Sequence, residues 1–394
     1  MKKILVVSFQ SITADFAEGM AKVGYEVSRI LHQRGELVTF VVSSKGSYDT
    51  PFPSTNCSAL SRLFFKIFRI FDCFHILKPH ISRHLKEVFF DLSVCRLLSP
   101  RIDVIISTNA FMPRTFRRAK CLGLVVVLVP GNPEEELIRQ TVKDEWSYLG
   151  SRIEDAYSCN RRFGAYQRSM PNVDVLFGFS NLIADSFEMR FRQLKVVRRP
   201  VFFARRNELV RSRGGEKTRS SKTYLTVGYL AHTVVLKGLH RLISVWFDLG
   251  FEATSMRLIV GGNIDKDLGE VIARDFRLTR NHSIEFIGQV TDLDGFFNRL
   301  DVFVVPSLID GGPLTIMEAL QRSIPVLATN GCGYSQYVIN GINGWVVGST
   351  INDLRVGIEK AVAGGATVSS PGIQGSVDTI EDLATAIVQN VSAI

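Results

Sequence analysis

Nowhere in the 394 residues is there an uncharged apolar run of the roughly 18 residues that a bilayer-spanning helix needs, so no such helix is expected. Met1-Lys2-Lys3 before Ile4-Leu5-Val6-Val7 imitates the start of a signal peptide. The apolar stretch is too short for one and reads better as the first buried strand of a parallel sheet. Cysteine is sparse: Cys57, Cys73, Cys95, Cys121, Cys159 and Cys332 form no C-x-x-C pair and no framework spacing. Reduced thiols in a cytoplasmic protein are the simplest account. Metal-ligand spacing is absent, so no metal is expected. The chain also lacks a short-period repeat and any nucleic-acid-binding motif, which leaves its basic composition as the sole argument for a nucleic-acid partner and none is expected.

The length is enough for two domains of ordinary size, each with its own core. Charge divides unevenly between the halves. Residues 1–200 hold 29 Lys+Arg against 19 Asp+Glu, whereas residues 201–394 hold 18 against 19. The basic excess therefore belongs to the N-terminal half. An anionic membrane or a phosphorylated acceptor suits that half better than nucleic acid.

Apolar runs alternate with helical patterns along the chain. The pattern predicts a strand at 3–9, a helix at about 18–34 and a strand at 37–43, with Gly35 as the helix stop. Further strands are expected at 103–107, 124–129 and 173–179, and Ser180-Asn181 should cap a helix running to about 191. Residues 204–222 are polar, basic and aperiodic, as a linker would be. Alternation then resumes: strands at 223–228, 257–261, 283–287, 301–305 and 324–328, with helices at 237–249, 266–276, 293–299 and 313–322. Such alternation predicts an α/β protein with two doubly wound parallel sheets.

Residues 60–86 stand apart. Arg62, Lys66, Arg69, Lys78, Arg83 and Lys86 face the single acid Asp72 and are interleaved with Leu63, Phe64, Phe65, Phe68, Phe71, Phe74, Ile76 and Leu77. An interfacial helix on a membrane accounts for this mixture. Projection onto a helix puts apolar residues on nearly every side, so core packing and a protein interface stay open as alternatives.

The densest chemical signal lies at Val305-Pro306-Ser307-Leu308-Ile309-Asp310-Gly311-Gly312-Pro313-Leu314-Thr315-Ile316-Met317-Glu318-Ala319. An apolar strand enters a Gly-Gly-Pro turn and a helix follows. Pro313 suits the first helical position, and the free amides and positive dipole end of the helix suit phosphate. Asp310 in the turn and Glu318 in the helix could accept from hydroxyls. Phosphate and hydroxyls together describe a nucleotide sugar. A plain strand–turn–helix with Glu318 as a solvated acid explains the isolated segment equally well.

The segment resembles the signature of the retaining GT-B glycosyltransferases of family 4, also called group 1. Their pattern E-G-x-P-x4-E-A is matched by Asp310-Gly311-Gly312-Pro313-x4-Glu318-Ala319, with Asp in place of the first Glu. The similarity continues through Ile324–Thr329 and Gly331–Val338, and ends in the turn Asn340-Gly341-Ile342-Asn343-Gly344-Trp345-Val346-Val347. Upstream, Val227-Gly228-Tyr229-Leu230-x6-Lys237-Gly238 is similar to a pattern whose lysine pairs with the diphosphate, and Tyr229 stands where the family usually has a second cation. By the same resemblance Glu318 binds ribose hydroxyls and Asp310 faces the transferred sugar. The stretch Gly311-Gly312-Pro313-Leu314-Thr315 meets phosphate and sugar oxygens, and the turn Gly288-Gln289-Val290 lies against the base. Asp292-x-Asp294 imitates a metal-binding D-x-D, but its place before a helix favours N-terminal capping. A solvated loop lysine is the alternative reading of Lys237.

The N-terminal half is similar to one branch of the family more loosely. Gly19 matches the glycine that lets backbone approach the donor phosphate. Glu134 replaces the histidine of the usual G-S-x-H turn. It either performs the polar work at the acceptor side, or that role is lost. Glu134-Glu135-Glu136 could equally be acids that favour a helix start.

The resemblance implies a GT-B fold: two Rossmann-like doubly wound parallel-sheet domains facing across a cleft. Residues 1–203 form the acceptor-side domain and 204–376 the nucleotide-sugar domain, with a terminal helix at about 377–394 crossing back to the first. It further implies a retaining, metal-independent glycosyltransferase that uses a UDP- or GDP-sugar and no cofactor. Catalysis would rest on Asp310, Lys237 and Glu318. A saccharide or lipid-linked acceptor would be served from the cytoplasm or the inner membrane face, in cell-surface polysaccharide or lipopolysaccharide synthesis. The departures at Tyr229, Asp310 and Glu134 also fit a catalytically impaired homologue serving as a membrane-associated binding or scaffold subunit.

Overall fold

The computed structural model describes residues 1–12, 19–46, 50–74, 76–201, 224–251, 255–274, 282–365 and 378–392. The expected linker at 204–222 lies outside the described residues. In chain order the described elements are β1 Lys3–Ser8, α1 Met20–Gln33, β2 Leu37–Val42, β3 Ser54–Asn56, α2 Ala59–Cys73, α3 Pro79–Leu97, β4 Val104–Ser107, α4 Pro113–Cys121, β5 Val125–Leu128, α5 Glu135–Tyr148, α6 Asn160–Ser169, β6 Val175–Gly178, α7 Asn181–Arg190 and β7 Lys195–Arg198. They continue with β8 Leu225–Leu230, α8 Leu239–Asp248, β9 Met256–Gly261, α9 Lys266–Ala273, β10 Ile284–Gly288, α10 Leu293–Asn298, β11 Val302–Val305, α11 Leu314–Gln321, β12 Val326–Thr329, β13 Gly344–Val347, α12 Ile351–Gly365 and α13 Ile380–Ser392.

Two compact units result. Met1–Gln140, Glu154–Arg205 and Val377–Ile394 form the first, and Thr141–Ile153 with Arg206–Ser376 form the second. Their sheets run β3-β2-β1-β4-β5-β6-β7 and β10-β9-β8-β11-β12-β13, and every pairing is parallel. Each sheet starts at its centre, winds to one edge and returns to build the other. The order reverses between β1 and β4 in the first unit and between β8 and β11 in the second. Ligands of such sheets bind outside the strand carboxyl ends at that reversal.

Local sequence explains the main boundaries. β4, β6, β11 and β12 are buried along their whole length, as parallel strands covered on both faces require. Gly35 follows α1 with φ +85°, a left-handed stop that L side chains rarely adopt. Ser180 caps α7 by accepting from the Ile183 amide at 3.3 Å. The terminal helix α13 lies on α1 within the first unit, where Arg34 donates to Thr385 Oγ1 at 2.5 Å and Arg29 approaches Glu381 at 3.7 Å.

The stretch 60–86 is two helices rather than one. Pro79 opens α3, and Lys78 before it is extended at φ −63°, ψ 138° because proline excludes the helical conformation at the preceding residue. Gly344-Trp345-Val346-Val347, read from sequence as part of a turn, is the edge strand β13 paired to β12.

Candidate active site

At the carboxyl ends of the second sheet, successive loops are stitched together by backbone. The amide of Leu308, after β11, donates to Leu236 O, after β8, at 2.8 Å. Gly238 stands at φ +69°, and a Cβ there would come within 2.0 Å of Pro306 O. Only glycine fits, so the β8 and β11 loops lie backbone to backbone. The loop after β12 completes the junction: Asp310 N donates to Gly331 O and Gly333 N donates to Asp310 O, both at 2.8 Å. On the other side Thr233 N donates to Asn263 O at 2.7 Å, and a Cβ on Gly262 would meet Ala231 O at 1.8 Å.

This stitching brings Lys237 and Asp310 together from positions 73 apart in the chain. Lys237 Nζ donates to Asp310 Oδ2, while Asp310 Oδ1 accepts from the Gly312 amide at 3.4 Å. The Asp310 side chain is 9% exposed and that of Lys237 is 27% exposed. The carboxylate is thus inside the wall of the site and the ammonium reaches its surface. The main chain of Asp310 is held on both sides, so the shorter acid meets the lysine without a glutamate's extra methylene.

Beside the pair, Pro313 serves as the N-cap of α11, and the helix begins at Leu314 rather than at Pro313. Gly311 and Pro313 are buried, and Gly312, Leu314, Thr315 and Glu318 are half-buried. Glu318 shares a helix face with Leu314, one turn from the helix start. An ammonium, a helix N-terminus and a carboxylate on its first turns can together hold a diphosphate and neighbouring hydroxyls.

Tyr229 is placed differently from the expectation of a ligand contact. It is 2% exposed, its hydroxyl shares a 3.1 Å hydrogen bond with Thr233 Oγ1, and burial pushes the phenol well above its ordinary range. The ring forms part of the interior beneath the β8 loop. Gly288 ends β10 at φ +66° and is exposed, and its carbonyl accepts from Gly262 N at 2.6 Å. Val290 is half-buried and packs where a Cβ on Gly261 would come within 2.8 Å of it. Asp292 caps α10 by accepting from Gly295 N at 2.9 Å, and Asp294 pairs with Arg322 at 2.6 Å. Capping and ion pairing therefore account for both acids.

In the first unit, Gly19 precedes α1 at φ +43°, and the Ala21 amide donates to Gln10 Oε1 at 3.2 Å. A Cβ on Gly131 would come within 2.7 Å of Met20, so the start of α1 and the loop after β5 meet here. Glu134 is 4% exposed, and its carboxylate is used to cap a helix rather than offered to an acceptor. Oε2 accepts from the Glu136 and Leu137 amides at 2.9 and 3.2 Å, and Oε1 accepts from Tyr166 Oη at 2.9 Å.

Glu135, next to it, lies 3.8 Å from Arg162, whose guanidinium also binds Glu87 at 2.9 Å. Burial pushes Glu135 up from 4.5 to about 7, against the lowering pull of Arg162. With the folded value above the unfolded one, its favourable contribution is complete below about pH 4.5 and is lost as the pH rises through 7. Glu135→Gln is therefore expected to stabilise the protein by roughly 1–2 kcal/mol at pH 8, with the gain gone by pH 5. Thermal melts at the two pH values check this, and equal effects at both would contradict it.

One cluster escaped the sequence reading. The segment Thr141–Ile153 belongs to the second unit. There Glu145 Oε1 accepts from Arg241 Nε at 2.7 Å and lies 2.6 Å from His240 Nε2, while Oε2 binds Arg241 Nη2. Arg241 also donates to Ser349 O at 2.6 Å. Burial pushes the Glu145 carboxyl up, but the hydrogen bonds from His240 and Arg241 outweigh it and leave the group below its usual range. His240 and Arg241 lie in the first turn of α8, which begins directly after Lys237-Gly238. A buried acid among polar neighbours was the available signal, but its partners lie 95 and 96 positions away.

Comparisons with known proteins show what the chain is similar to. Residues 212–383 match the family model described as glycosyl transferases group 1. The capsular polysaccharide biosynthesis glycosyltransferase CapM of Staphylococcus aureus is 30% identical over 122 residues. That match covers 31% of this chain and 32% of CapM, so the chain spans about a third of that relative's length. Sucrose-phosphate synthase from Thermosynechococcus elongatus has the same fold, with a TM-score of 0.69 at 15% identity over 100% of this chain and 99% of that one. HepE from Anabaena, solved with UDP and glucose, gives a TM-score of 0.62 at 13% identity, with both chains covered completely. Residues 212–383 are thus similar to the group 1 glycosyl transferases, and the two parallel-sheet units have the GT-B fold of these solved structures.

Proposed function

We propose that this chain is a retaining, metal-independent hexosyltransferase that needs no cofactor. It moves a sugar from a UDP- or GDP-sugar to a saccharide or lipid-linked acceptor in cell-surface polysaccharide or lipopolysaccharide synthesis, working at the cytoplasmic face of the membrane. The observation that carries the reading is the Lys237–Asp310 pair, held by backbone stitching beside the N-terminus of α11. CapM, by its name a glycosyltransferase of capsular polysaccharide, and HepE, solved with UDP and glucose, support the substrate class.

In this reading the Lys237 ammonium and the amides at the start of α11 stabilise the departing diphosphate as the bond from the anomeric carbon to its oxygen breaks. Glu318 accepts from the ribose hydroxyls. Asp310, tied to Lys237, faces the sugar as a hydrogen-bond acceptor and not as a nucleophile. The acceptor hydroxyl then attacks from the face the diphosphate leaves, and its proton passes to a phosphate oxygen. Retention of configuration follows.

A thermal-shift panel of UDP, GDP and ADP with their sugars tests the reading. The cognate nucleotide at about 100 times its Kd is expected to stabilise by roughly 2.7 kcal/mol, a rise of about 5–10 °C. No response to any nucleotide and no donor turnover would sink the enzyme reading and leave the scaffold alternative.

A further inference from the structure

Helix α2 has more apolar surface than its packing uses. One face is settled against α3: Phe64 stacks on Phe89 at 4.0 Å between centroids, Phe68 lies 5.9 Å from the same ring, and Ser61 Oγ donates to Phe89 O at 2.9 Å. Phe68 is 7% exposed and Ser61 3%. This face alone satisfies what a surface helix of a globular unit requires.

A second apolar row points away from it. Leu60, Leu63, Ile67, Ile70 and Phe74 follow one another at steps of three and four residues, the spacing of a single helix stripe. Leu60, Leu63 and Ile70 are 52%, 54% and 53% exposed, and Phe74, at the C-cap, is 75% exposed. Ile76, just beyond, is 60% exposed. Several large aliphatic and aromatic side chains in a continuous line form a contact surface, unlike the scattered single exposures common on monomers.

Beside the stripe runs a cationic row. Arg62, Lys66 and Arg69 recur at four and three residues, all exposed, and no carboxylate among the described residues pairs with them. The one acid of the helix, Asp72, lies toward α3 and binds Lys86 at 2.6 Å. A second copy of this chain laid stripe against stripe would bring two rows of like charge together. A layer of anionic headgroups over hydrocarbon matches both rows at once: apolar side chains enter the acyl boundary and the cations stay among phosphates.

We propose that the outward stripe of α2, with Arg62, Lys66 and Arg69 beside it, docks this protein on an anionic lipid bilayer. The docking is independent of donor chemistry, since it involves none of the residues placed around Lys237. It also explains why residues 60–77 project apolar groups on nearly every side, with one face for α3 and one for lipid.

Flotation with vesicles tests this directly. The wild-type chain is expected to float with phosphatidylcholine vesicles containing phosphatidylglycerol, at least tenfold more than with phosphatidylcholine alone, and to be released by high salt. Leu63→Glu/Ile70→Glu should lose at least tenfold of that partition with its melting temperature unchanged, because both side chains are exposed. Should that variant fold poorly, Leu63→Gln/Ile70→Gln carries the same expectation. Arg62→Glu/Lys66→Glu/Arg69→Glu should remove the preference for anionic lipid. A wild-type chain that stays unbound with anionic vesicles overturns the proposal, as does an apolar variant that floats like wild type. A dimer dissolved by Leu63→Glu/Ile70→Glu without flotation would assign the stripe to self-association instead.

Discussion

Lys237→Ala is expected to lower turnover of the cognate donor on the order of 100-fold, the usual cost of removing a positioned donor from developing negative charge. Lys237 ends a short helical turn whose backbone is joined to the β11 loop through Leu236 and Gly238, so the ammonium is placed before substrate arrives. Asp310→Asn separates the two members of the pair. Without the carboxylate charge, the free nucleoside diphosphate should bind as tightly as before or several-fold tighter, because the lysine is released and an anion beside the phosphates is removed. Transfer should still fall, since in the proposed mechanism Asp310 faces the sugar. Titration calorimetry with the diphosphate and steady-state transfer rates distinguish the outcomes. If Lys237→Ala leaves both binding and turnover unchanged, the lysine has no part in the chemistry.

Glu145→Ala should destabilise the second unit by about 3–4 kcal/mol, because it leaves the buried His240 and the half-buried Arg241 without their shared carboxylate. For a unit of this size that is a fall of roughly 6–12 °C in melting temperature. The Glu145 carboxyl is held below its usual range, so its contribution is complete above the unfolded value of 4.5 and is lost as the pH falls through the depressed folded value. The gap between wild type and Glu145→Ala should therefore be full at pH 7 and narrow in strong acid. Glu145→Gln, which keeps hydrogen-bonding atoms but not charge, should lie between the two. Because the cluster clamps the first turn of α8, just after Lys237, donor affinity is expected to weaken in parallel with stability. Equal melting temperatures for wild type and Glu145→Ala at pH 7 would show that the cluster holds nothing.

Much of the fold was legible from local patterns. Parallel strands covered on both faces are continuous apolar runs, and β1, β4, β5 and β11 stand out for that reason. Gly35 and Ser180 mark helix ends by chemistry that acts within a few residues. The strand β7 was not legible: Lys195-Val196-Val197-Arg198 is an edge segment, too short and too charged to stand out. The division of 60–86 into α2 and α3 turns on Pro79, a signal that the aromatic and basic residues around it obscured.

For the candidate site, Asp310, the Gly311–Thr315 turn and Glu318 stood out because the helix start and its acids are neighbours in sequence, whereas Lys237, 73 positions before Asp310, was reached only through the family resemblance. Local sequence also identified Asp292 as a helix cap, a role decided within three residues. What Tyr229 and Glu134 do depended on tertiary neighbours. Thr233 takes the Tyr229 hydroxyl, and Tyr166 joins the α5 amides on the Glu134 carboxylate.

By itself, then, the sequence determined which segments are strands and helices, and which turn sets the free amides of a helix start beside two acids. These depend on spacing, capping and apolar period over a few residues. The tertiary structure alone decided that Asp310 holds Lys237, that Glu145 joins the second unit beneath α8, and that one of the two apolar faces of α2 stays uncovered. Those outcomes depend on which distant groups exclude water from one another, and no local pattern encodes that.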